Sequence, residues 1–257
     1  MNRALLKANA RRQLGGDIFK ANWLSGLVAV LIVLVITRTA ASILSGIVAV
    51  GFGTGSMFRM FSDTANWGNV AMNGQNVPPE AIVTMVVKTF LPLYAGILGS
   101  AFLVDILISG PFTYGLGKTF LDLVMGGETV KIESVFSGFR KYGENVLLWF
   151  MRGLFVFLWS LLFIIPGIVK SLAYAMSYFV KVEHPDYSWR QCMKESERLM
   201  KGYKFAYFVL NLSFIGWYIV SMFTFGIGML WVLPYHECTD ANFYAWLTAQ
   251  KSAREAD

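Results

Sequence analysis

Charge and cysteine are what this chain has least of, and both shortages exclude whole classes of protein. Only 15% of its 257 residues are charged, where a soluble domain carries about a quarter, so an ordinary soluble enzyme is disfavoured. The two cysteines, Cys192 and Cys238, stand 46 residues apart. They are too few for a disulfide framework and have no zinc-type spacing. Histidine is as sparse, His184 and His236, so no metal centre is expected. Low hydrophobicity, the condition for disorder, is missing too: 56% of the residues are apolar, 16% are aromatic and the mean hydropathy is +0.53. What remains is an all-α integral membrane protein. Its net charge of +6 comes from basic residues beside apolar runs, which points to an anionic lipid surface and away from nucleic acid.

The apolar runs divide into six transmembrane spans. Trp23–Ile36 is fourteen uncharged residues and becomes a span at about 19–41 if Lys20 and Arg38 snorkel toward opposite interfaces. Apolar character continues to Val50 without a cleavage site, so this span is expected to be retained and not removed as a signal peptide. Residues 51–92 read as an outer loop, from GFGTGS at 51–56 through Asn66, Gly68, Asn73, Gly74, Asn76 and Pro78-Pro79, with Ala81–Phe90 able to form a short interfacial helix. The second span is about 93–117. Its Ala95, Gly96, Gly99 and Ser100 suit close helix contact, and Pro111 predicts a kink.

The later half alternates spans with surface helices. The stretch 129–142 repeats Ile132, Val135, Phe136, Phe139 and Tyr142 at helical spacing, the pattern of an amphipathic inner-surface helix. Spans at about 145–165 and 168–182 follow, separated by a tight reversal or a sharp break at Pro166-Gly167. Ser188 and Gln191 form a capping-box signature for a second surface helix at 188–201. Phe205–Tyr235 is 31 uncharged residues, too long for one crossing, so two spans at about 205–223 and 229–248 are predicted around Thr224–Gly228.

With a basic N-terminal segment at 1–18, six spans within 19–248 and a tail at 249–257, eighteen basic residues fall on the inner side. Four, Arg38, Arg59, Lys88 and Lys170, fall outside. That bias places both termini in the cytoplasm. Pro111 and Pro234 are each followed nine residues later by phenylalanine, and Pro166 by Tyr174 and Tyr178. The spans can be grouped as three diverged hairpins or read as unrelated helix breaks.

Several segments resemble one bacterial family: Glu133–Phe139, Phe157–Ile168, Met200–Lys204, Leu212–Trp217, Thr224–Gly228, Pro234-Tyr235 and Phe243-Tyr244. They are similar to the family called domain of unknown function 975, over roughly residues 100–247. The resemblance implies a multi-pass protein of the bacterial cytoplasmic membrane without an assigned activity.

No catalytic constellation stands out. GFGTGS lacks the Lys-Ser/Thr ending of a P-loop, and neither cysteine nor any serine sits in a nucleophile motif. The chain is therefore read as non-enzymatic and cofactor-free. Ionisable groups in hydrocarbon normally face a bundle interior or a wet cavity. Asp105 in the second span, Arg152 in the third, and His236, Glu237 and Asp240 in the last are thus the expected binding residues. They could equally pair to lock the bundle. Arg3, Lys7, Arg11 and Arg12 precede the first span as a basic stripe suited to anionic head groups or to a plain topology signal. The leading functional expectation is a protein that binds or passes a small amphipathic or lipid-like molecule through a polar-lined intramembrane pocket. The alternative is a scaffold or regulatory subunit that docks a partner through its surface helices.

Overall fold

The computed structural model describes residues 2–15, 21–73, 79–127 and 129–256. Among them the chain is helical throughout, with turns between helices and no strand. It divides into two compact units: Met1–Val35 with Ile108–Asp257, and Ile36–Leu107. The helices are α1 (Arg3–Gln13), α2 (Ala21–Met72), α3 (Pro79–Gly126), a 3-10 helix (Ile132–Lys141), α4 (Tyr142–Leu162), α5 (Ile164–Ala173), α6 (Ser177–Glu183), α7 (Trp189–Leu199), α8 (Lys204–Phe223) and α9 (Met229–Ala256). Among the described residues four helical stretches are long and apolar enough to cross a membrane: Asn22–Ala65, Val86–Gly126, Ile132–Leu162 and Lys204–Phe223.

The outer loop expected at 51–92 is largely helix. α2 continues through GFGTGS to Met72, and α3 begins at Pro79 and runs through Pro92 and Pro111. Glycine in a helix costs about 1 kcal/mol against alanine, yet no proline precedes Pro78, so nothing in the sequence forces the helix to stop. Gly74, Asn76 and Pro78, read as loop, and Lys20, read as an interface anchor, lie outside the described residues. In the Ile36–Leu107 unit the two helical segments run antiparallel at close range. A Cβ on Gly96 would stand 2.9 Å from Val48 Cγ1, and Ser100 Oγ lies 3.4 Å from Ser45 Oγ. Small residues at these positions allow the approach.

The fourth span expected at 168–182 is broken. α5 ends at Ala173 and α6 starts at Ser177, giving helices of roughly 15 and 10 Å at 1.5 Å per residue, each too short for a ~30 Å core. The reversal before it falls at Phe163, whose backbone is extended, and not at Pro166-Gly167. Pro166 sits in the first turn of α5, where the missing N–H has no intrahelical partner to lose. Gly167 is what the α4–α5 hairpin requires: a Cβ there would lie 2.0 Å from Ser160 Oγ and 2.8 Å from Ser160 Cα. The α8–α9 hairpin repeats the device. Gly228 faces Ser221, with 2.7 Å to Oγ and 2.9 Å to Cα for an added Cβ, and both serines bond the carbonyl four residues back. In both hairpins glycine follows serine by seven residues. The turn of the third possible hairpin, between α2 and α3, lies outside the described residues.

The amphipathic stretch at 129–142 folds as a 3-10 helix packed backbone to backbone on α3. A Cβ on Gly115 would overlap Val135 O, and one on Gly138 would overlap Pro111 O. Asn145 Nδ2 donates to Gly138 O at 2.7 Å. α7 opens on a complete capping box, Ser188 with Gln191, and buries Cys192, Met193, Ser196, Leu199 and Met200. Ser196 Oγ donates to Ala173 O and accepts from Met176 N, so it satisfies backbone groups left at the α5–α6 break.

Lys170, counted on the outer side, donates to Glu197 Oε1 of α7 at 2.7 Å.

Candidate functional site

The polar residues of the last hairpin meet inside the first unit. On α8, Tyr207, Asn211 and Tyr218 lie on one face by their spacing of four and seven. On α9, His236 and Asp240 do so at spacing four. Asn211 Nδ2 donates to Tyr207 O at 3.0 Å, which turns its Oδ1 toward His236 Nε2 at 2.9 Å. An amide oxygen only accepts, so Nε2 carries the proton. In the neutral ring Nδ1 then accepts from the Tyr218 hydroxyl at 3.1 Å. Both imidazole nitrogens are thus occupied, and the ring is further fixed by Phe214, 4.5 Å away between centroids.

Asp240 extends this network. Its Oδ2 is 4.0 Å from His236 Nε2. Arg152 of α4 lies over the Tyr178 ring at 6.0 Å, near enough for its charge to act on Asp240. The Asp240 side chain is 15% exposed and that of His236 19%. Asp240 Oδ1 and the Tyr178 hydroxyl are buried with no hydrogen-bond partner among the described residues, at a cost of roughly 1–3 kcal/mol each. Pro234 stands just before the cluster inside α9 and leaves a carbonyl one turn earlier without its helical donor. A hydrogen-bonding guest has acceptors and a hydroxyl to engage here.

The expected binding residues therefore separate. Arg152, His236 and Asp240 gather in this cluster, and Glu237 is half-buried beside them on α9. Asp105 is exposed on the part of α3 within the Ile36–Leu107 unit and makes interactions of its own. Tyr207 and Asn211 were not singled out from the sequence, and Tyr178 was noted only for its spacing from Pro166. The signal available was the i, i+4 pairing of Tyr207 with Asn211, which matches that of His236 with Asp240.

The basic stripe packs as well as exposes. α1 lies on α9: Leu6, Ala10 and Leu14 are buried, and Asn242 Nδ2 donates to Gln13 Oε1 at 2.6 Å. Lys7 donates to Ser213 O at 3.3 Å and sits 4.1 Å from the Phe214 ring centroid. Burial first, then Arg11 and Arg3, push its ammonium below the ordinary lysine value. Arg11 lies 5.3 Å over Tyr235, while Arg3, Arg11 and Arg12 remain exposed. Among the described residues no three histidine, cysteine or acidic side chains gather as a metal site.

Residues 164–251 match the family described as Protein of unknown function (DUF975), and the resemblance read from the sequence holds over that stretch. It runs from α5 into the end of α9, so it contains Tyr178, Tyr207, Asn211, Tyr218, His236, Glu237 and Asp240 and leaves out Arg152 and Asp105. Neither curated proteins nor solved structures give a match.

Proposed function

We propose that this chain is a non-enzymatic protein of the bacterial cytoplasmic membrane that binds or passes a small amphipathic or lipid-like molecule at the α8–α9 polar cluster. The observation that carries the reading is the Asp240 carboxylate, with one buried oxygen unpartnered among the described residues, set beside the hydrogen-bonded Asn211, His236 and Tyr218. An ionisable group in such surroundings ordinarily serves a guest or a proton path. The chain crosses six times with both termini inside, α5 with α6 forming a broken fourth crossing and α9 the sixth. Broken helices are tolerated at membrane depth where protein or a wet cavity surrounds them. Anionic phospholipids on the inner side meet Arg3, Arg11 and Arg12. The scaffold alternative draws less support, because the apolar face of α7 is covered by the chain itself.

The test uses Asp240→Asn and Glu237→Gln, which keep shape and remove charge. Assembly and yield should be unchanged, while thermal protection by lipid extracted from the producing cells should be lost. Loss of assembly together with protection would instead make the acids a structural lock. For topology, cysteine at Asn73 should react with an impermeant thiol reagent in intact cells, and cysteine at Ser252 should not; the reverse pattern would invert the orientation.

A further inference from the structure

The end of α7, the turn Met200–Tyr203 and the last turns of α9 border a half-open hollow of about 520 Å³. Arg198, Lys201, Lys251 and Arg254 line it together with Tyr203 and Gln250. Gly202 makes the turn with a left-handed φ of +85°, a conformation glycine adopts without strain, and the residues on both sides of it line the hollow. Cations in a last helical turn are common because they face the negative end of the helix dipole. That explains basic residues at each terminus but not their convergence from three elements on one space.

The convergence is built. Arg254 donates to the Tyr203 hydroxyl at 2.7 Å and lies over its ring at 5.6 Å. Lys251 bonds Glu195 Oε1 at 2.9 Å, and Arg198 approaches the same carboxylate at 3.9 Å. Glu195 therefore answers two of the four cations, and neither Lys201 nor Arg254 is paired with it. An entering anion would relieve the repulsion among these cations that Glu195 does not offset. Guanidinium forks and ammonium groups are the side chains that hold phosphate oxygens, and Gln250 and Tyr203 add neutral polar groups.

We infer that this hollow binds a phosphate group, carried by an anionic phospholipid head group or by a small soluble phosphate ester. The site is separate from the α8–α9 cluster and stands whether or not that cluster binds a ligand.

The experiment measures the unfolding midpoint of the whole protein in a neutral detergent. The added probes are inorganic phosphate, glycerol 3-phosphate, phosphatidylglycerol or phosphatidylcholine. Phosphatidylglycerol should protect and phosphatidylcholine should not. Protection by the two soluble phosphates as well assigns a soluble ligand; protection by phosphatidylglycerol alone assigns the head group. Lys201→Gln and Arg254→Gln should each weaken the protecting anion about tenfold, the effect of losing one charged hydrogen bond. Lys194→Gln, on the exposed side of α7, should leave it unchanged. Arg254→Gln also breaks the Tyr203 bond, so Lys201→Gln is the deciding variant. No protection by any anion, equal protection by phosphatidylcholine, or unchanged affinity in Lys201→Gln overturns the assignment.

Discussion

Lys181 is the most consequential single charge in the packed unit, and replacing it with methionine is a direct test of how the turn between α6 and α7 is held. The side chain is 1% exposed. Its ammonium donates to the Glu144 carboxylate, to Pro185 O at 2.9 Å and to Tyr187 O at 2.6 Å, so all three protons are used. Methionine preserves most of the stem packing and removes all three bonds. Pro185 O keeps a donor, since Lys141 reaches it at 2.9 Å. Glu144 is 55% exposed and can rehydrate, which discounts its share well below the buried-pair range. Tyr187 O keeps only the weak Cys192 thiol donor at 3.8 Å, so most of the penalty for an unmet acceptor, roughly 1–3 kcal/mol, remains. Together these give a loss of about 2–4 kcal/mol, or roughly 5–15 °C in the unfolding midpoint of a domain this size. The assay is thermal unfolding of purified protein in detergent, with Glu144→Gln beside it. Glu144→Gln should cost less, because its amide oxygen can still accept from Lys181. A midpoint for Lys181→Met within error of the parent would refute the account, as would a larger loss for Glu144→Gln.

Two further outcomes rest on packing. Gly167→Ala and Gly228→Ala should each destabilise by about 1–3 kcal/mol, because the new methyl meets Ser160 or Ser221 main chain at under 3 Å. Gly216→Ala, with open space around it, should be neutral or slightly stabilising; equal effects at all three positions in denaturation curves would deny the hairpin crossings. Cys192 is buried, and burial pushes its thiol up to about 11 from 9.0. In a Cys238→Ala background it should resist maleimide at pH 8 when native and react when unfolded. The unfolded thiol ionises before the folded one, so this group's contribution to stability should fall as pH rises from about 9 to 11. Rapid native labelling would contradict the burial.

The proximity of Lys181 to Pro185 and Tyr187 could not be read from spacing, although the local elements around it could. Ser188 with Gln191 marks the start of α7 because a capping box is a contact between residues three apart. Thr224–Gly228 marks a turn because glycine permits the positive φ found at Gly226. Apolar length announced the helices of a membrane protein for the same reason: each is a property of one continuous stretch. The polar network was half legible. His236, Asp240 and Arg152 stood out as charges or near-charges in apolar runs, whereas Asn211 and Tyr207 look like ordinary spacers until α8 lies against α9.

What the sequence by itself determined is therefore local: the helical class, the caps, the amphipathic face of α7 and a resemblance that a family model matches over residues 164–251. Only tertiary structure decided that α2 runs through GFGTGS, that the fourth span breaks at Tyr174–Met176 and that Lys170 pairs with Glu197. It also decided that Asp105 belongs to a different unit from His236 and Asp240. Each of these depends on distances between residues far apart in the chain, and no spacing rule carries that information. A glycine is tolerated or required, and an acid is exposed or enclosed, according to what packs against it.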